Sequence, residues 1–167
     1  MKKIVSLTFV TIIVLLLSAC DPGIYQIDAD SLNDVISIEL IDYENSKQKH
    51  FLSWVPNQFD KLSPFDNANA TVIEELEEDK VPDFINAFAQ TDILHTYYAY
   101  DSPKDVCVKM NYSNGNFLIV WANYKEESFA GYIGEYFADG TVFSFWGSFS
   151  SLAYFENLVN DFFDFGI

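Results

Sequence analysis

The chain has 167 residues, half of them hydrophobic and 17% aromatic, which is enough for one ordinary core and excludes general disorder. Its formal charge is −16 at pH 7, with 25 Asp and Glu against nine basic residues, all of them lysine. Such a surface repels nucleic acids and anionic headgroups and lacks the forked guanidinium that grips phosphate, so nucleic-acid binding is excluded and a cationic partner is permitted.

The N-terminus reads MKKIVSLTFVTIIVLLLSAC. Lys2 and Lys3 make a positive start, Ile4 to Leu17 an apolar run, and Ser18 and Ala19 are small residues before Cys20. Positive, then apolar, then small is the order of a secretory signal. The apolar run is shorter than the about 20 residues a membrane-spanning helix needs. Leu17-Ser18-Ala19-Cys20 resembles the lipobox of bacterial lipoproteins. That resemblance implies a diacylglyceryl group on the Cys20 sulfur, cleavage between Ala19 and Cys20, and acylation of the new N-terminus. Each buried methylene contributes roughly 0.8 kcal/mol, so two or three chains (palmitate-like in length) anchor a protein stably in a bilayer. Asp21 resembles an inner-membrane retention signal if the envelope has two membranes and carries no special meaning if it has one. Loss of Lys2 and Lys3 with the signal would make the remaining chain still more acidic. It would also leave Cys107 as its one thiol beside the lipidated Cys20, so no internal disulfide is expected.

Residues 20–33, with Pro22 and Gly23, read as a lipidated N-terminus and tether, and residues 34–167 as a single α+β domain. Residues 34–43 are rich in β-branched side chains and read as a strand. Residues 47–55 read as a second strand across an Asn45-Ser46 turn. Residues 56–70 hold two prolines and read as a loop. Residues 70–78 are read as a strand, although EELEE also suits a helix. Val81, Phe84, Ile85, Phe88 and Ala89 form a helical apolar stripe, with Asp79 as N-cap and Pro82 in the first turn. Residues 93–100 read as a strand and Asp101-Ser102-Pro103 as a turn. Residues 106–112 and 117–123 form a hairpin across Ser113-Asn114-Gly115-Asn116, where Asn-Gly suits positive φ. Residues 128–137 and 141–146 form another across Ala138-Asp139-Gly140. Residues 151–163 carry a second helical stripe, capped by Ser150 or Ser151. The expected fold is therefore α+β, an antiparallel meander with two helices packed on one face. The stretch DSPKDVCVKMNYSNGN, residues 101–116, resembles segments of small uncharacterised lipoproteins of Gram-positive bacteria.

Reactive constellations are sparse. Cys107 with His50 or His95 would make a thiol nucleophile, but a cysteine between Val106 and Val108 on a strand is more simply buried. Gly147-Ser148-Phe149-Ser150 lacks the second glycine of a nucleophile elbow, and its serines suit helix caps. Two distant histidines and one thiol do not make a zinc site. Asp28, Asp30, Asp34 and Glu39 fall at calcium-loop positions 1, 3, 7 and 12, but Leu32 and Asn33 stand where the loop needs an oxygen ligand and glycine. No metal or cofactor is expected. The run Glu74-Glu75-Leu76-Glu77-Glu78-Asp79 puts carboxylates on both faces of a strand, which fits a sheet edge or a dock for a basic partner. Tyr132, Tyr136, Phe143, Phe145, Trp146, Tyr154 and Phe155 would stack sugars if exposed, while Gly131 and Gly134 leave room for aromatic rings to pack over the strands.

These features point to a membrane-anchored, extracytoplasmic lipoprotein whose acidic domain is a non-enzymatic binding module. Its expected partners are the bilayer, through acyl chains on Cys20, and a cationic protein or peptide. The alternatives are a cell-envelope hydrolase with fold-assembled carboxylates about 5–10 Å apart, and an immunity-type lipoprotein against a cationic toxin.

Overall fold

The computed structural model describes residues 24–43, 64–94, 105–122, 131–149 and 152–165. Eight strands and two helices form there. The strands are β1 (Ile24–Gln26), β2 (Val35–Tyr43), β3 (Ala70–Glu75), β4 (Asp92–Leu94), β5 (Asp105–Tyr112), β6 (Phe117–Ala122), β7 (Gly131–Tyr136) and β8 (Val142–Phe149). The helices are α1 (Val81–Ala89) and α2 (Leu152–Phe162). The strands make one sheet in the order β1-β4-β8-β7-β6-β5-β2-β3, every neighbour antiparallel. β5 to β8 are the expected meander. β2 and β4 flank it, and β3 and β1 close the two ends.

The β5–β6 and β7–β8 hairpins turn in the same way. Tyr112 N–H donates to Asn116 O at 2.9 Å, and Phe137 N–H to Thr141 O at 2.9 Å. Each pair encloses a three-residue loop ending in a glycine of positive φ, Gly115 at 87° and Gly140 at 83°. Before each glycine a short polar side chain accepts the N–H two residues on: Asn114 from Asn116 and Asp139 from Thr141, both at 2.9 Å. Positive φ was expected across Asn114-Gly115; only Gly115 adopts it, because this loop needs one left-handed residue rather than two.

Alternation along the strands sorts the core into two layers. On one face Ile38, Leu40, Val108, Met110, Leu118, Val120 and Ile133 meet Phe84 and Phe88 of α1 and Phe155, Leu158 and Val159 of α2. Both helices thus lie on one face, and Phe84 joins them, its ring centroid 5.1 Å from Phe162 and 6.1 Å from Phe163. Gly131 sits opposite Phe149. A Cβ there would meet that ring at 1.9 Å, so the expected space over Gly131 is filled by Phe149. β6 is buried on both sides along its whole length, because the second face is covered too.

Several boundaries differ from expectation: β3 ends at Glu75 rather than at residue 78, and β8 runs past Trp146 to Phe149. The tether does not extend to residue 33. Ile24–Gln26 pairs with β4, Leu32 is fully buried, and Ile27 nearly so. A three-residue strand and a 3-10 turn at Ala29–Leu32 carry too little periodicity to stand out in the sequence. Asp79 is not the N-cap of α1. A 3-10 turn, Glu78–Lys80, leads straight into the helix, and the cap is Lys80, without a side-chain bond. Glu78, Asp79 and Asp83 still lie near the helix start, where the dipole favours negative charge. Pro82 stands in the first turn as expected. The strand expected at 47–55, the turns at 45–46 and 101–103, and the caps Ser150 and Ser151 lie outside the described residues.

Candidate functional site

Ala19 and Cys20, the signal before them, and His50 and His95 lie outside the described residues. Cys107 is fully buried on β5, between Ile41 and Trp121 in register, with its thiol 3.8 Å from Asp105 O. A thiol in that position is a packing group. Ser148 does not cap a helix; it is fully buried within β8, opposite Tyr132.

The calcium-loop carboxylates are dispersed to other tasks. Asp28 caps the 3-10 turn, accepting Asp30 N–H at 3.0 Å. Asp30 accepts from the Asn33 amide at 3.4 Å. Glu39 lies within β2 and pairs with Lys109 at 3.6 Å. Among the described residues no three His, Cys, Asp or Glu side chains gather as a metal site, and no helix is long and apolar enough to cross a membrane.

The aromatic residues split between the layers instead of forming a platform. Tyr132, Tyr136 and Phe155 are buried, Trp146 and Tyr154 half-buried, and only Phe143 is exposed; the Phe145 side chain is outside the description. Phe143 packs edge-on against the exposed Phe137 at 4.9 Å. Trp146 donates to Glu135 at 2.9 Å, and Tyr154 Oη is hydrogen-bonded to Thr91 Oγ1.

The second sheet face is an aromatic layer. Tyr43, Phe117, Trp121, Tyr132 and Tyr136 lie there with Ile41, Cys107 and Ile119. Phe65 covers them, stacked on Tyr43 at 4.3 Å and 5.3 Å from Phe117. Its N–H donates to Gly140 O at 2.8 Å, which ties the segment to the β7–β8 turn. Burial pushes the Tyr136 phenol well above its ordinary pKa, reinforced by Cys107 and Tyr43. Tyr136 is therefore a neutral donor, and among the described residues neither its hydroxyl nor the Trp121 indole N–H has an acceptor. Phe65 was not legible as a core residue, because a lone aromatic in a proline-containing loop has no periodic neighbours.

The acidic run has the clearest geometry. β3 is the last strand of the sheet, so its expected edge position holds. Glu74 and Glu75 point to opposite faces. Glu74 accepts Asp164 N–H at 2.9 Å beyond α2, while Glu75 sits opposite Glu39, which faces Lys109 on the next strand. Lys109 also donates to Asn67 at 3.2 Å and lies 4.9 Å above the Phe117 ring. A register shift between Leu40 and Ile41 places Ile73 as an extra residue on β3. With this geometry in hand, comparison with protein-family models, curated proteins and solved structures returns no match.

Proposed function

We propose that the chain is a lipoprotein held at the extracytoplasmic face of the cell membrane by acyl chains on Cys20, and that its acidic α+β domain acts as a non-enzymatic binding module. The observation that carries this reading is the N-terminal order: Lys2-Lys3, an apolar run to Leu17, then Ser18-Ala19-Cys20. The fold supports it. β1 starts at Ile24, so only three residues separate Cys20 from the first strand in sequence. Four residues span at most about 14 Å, which holds the domain against the bilayer. The acidic surface is suited to a cationic ligand there.

The test is fractionation of cells producing the wild type or Cys20→Ser, grown with labelled palmitate. The wild type is expected to carry label and to sediment with membranes until detergent is added. Cys20→Ser is expected to carry no label and to keep its signal uncleaved. Label on Cys20→Ser, or unlabelled wild type in the membrane fraction, contradicts the reading.

A further inference from the structure

The described sheet has two outer strands. β1 closes one end and β3 the other. On β3 the residues Thr71, Val72, Ile73 and Glu75 are exposed, Val72 by 52% and Ile73 by 39%. Among the described residues no strand pairs with the outer side of β3. Among the described residues its backbone donors and acceptors on that side have no ladder partner. From β3 the chain runs on into Glu77, Glu78 and Asp79, all exposed.

Both lysines of the described residues are already engaged. Lys80 pairs with Glu77 at 3.0 Å, and Lys109 with Glu39. Among the described residues Glu75 and Glu78 form no ion pair, and Asp79 shares the field of Lys80 with Glu77. Among the described residues the edge thus combines an unpaired ladder side, two exposed apolar side chains and an excess of negative charge. A second copy of the chain meets its own charges there and is repelled. So is an anionic bilayer. A strand carrying lysine or arginine gains ladder bonds, apolar contact with Val72 and Ile73, and charge complementarity at once.

We propose that the outer edge of β3 takes up an extended, lysine- or arginine-bearing segment of a partner protein as one further strand. This deepens the binding-module reading above by naming its surface and the chemistry of its partner. The site also lies at the end remote from the anchor. Seven strand spacings separate β1 from β3, roughly 30 Å at about 4.8 Å each.

The experiment measures binding of synthetic peptides to the full chain in uncharged detergent. One peptide alternates lysine with valine. A second has the same charge with proline in place of valine, so it loses every second N–H donor and is held away from strand φ. The first is expected to bind and to slow amide exchange in residues 70–75. The proline peptide is expected to bind at least tenfold more weakly. Glu75→Gln with Glu78→Gln is expected to weaken the first peptide at least threefold, and Glu75→Lys with Glu78→Lys at least tenfold, each with an unchanged unfolding midpoint. Equal binding of the two peptides, protection elsewhere than on β3, or affinity unaffected by both double variants overturns the proposal. Binding is repeated on Cys20→Ser, and retained binding there separates the edge from the anchor. Should that variant bind normally while the palmitate experiment fails, the anchor falls and the edge stands.

Discussion

Gly140 has a φ of +83°, and a Cβ at this position would lie 1.9 Å from the Phe65 carbonyl oxygen. Both the turn and the close approach of the covering segment therefore need glycine. Gly140→Ala is expected to destabilise the fold by at least about 2 kcal/mol, read as a lowered urea midpoint; an unchanged midpoint contradicts the packing described. One residue earlier, the Asp139 carboxylate accepts both the N–H and the hydroxyl of Thr141, at 2.9 and 2.7 Å. These bonds hold its pKa below the ordinary 3.8, the Thr141 hydroxyl contributing most. Its contribution to stability is therefore complete above the unfolded value and fades as pH falls through the lower folded one. An NMR titration should find the Asp139 midpoint below 3.8, with the Thr141 amide shift following it. A midpoint at or above 3.8 contradicts the turn geometry.

At the scale of elements, α1 and α2 depend on one another through Phe84, which is fully buried against Phe162 and Phe163. Phe84→Ala removes a ring that fills the junction of both helices with the sheet. The expected loss is about 3–5 kcal/mol by chemical denaturation, and a loss under about 1 kcal/mol would show that the helices do not meet there. These helices and the meander were legible because their signals are local. Phe84 and Phe88 recur at helical spacing, and Gly115 and Gly140 each follow a turn-forming polar residue. β1 and the Phe65 cover were not legible. Their stability comes from Ile24–Gln26 pairing with Asp92–Leu94 and from Phe65 stacking on Tyr43, contacts remote in sequence. The candidate site was half legible. The acidic run marked an edge, but the exposure of Val72 and Ile73 depends on the strand order.

For the whole molecule, the strand order sets β1 and β3 far apart within the described sheet. β1, which begins four residues after Cys20 in sequence, and β3, which carries Glu75, are opposite edges of the described sheet. If acyl chains on Cys20 anchor the chain ahead of β1, as proposed, the β3 edge lies at the other end of the described sheet. That arrangement depends on what happens at the sulfur of Cys20, which intact-mass spectrometry of protein extracted from membranes reads directly. The expected species is residues 20–167 bearing a diacylglyceryl group. An uncleaved chain, or a processed chain without lipid, would contradict the account.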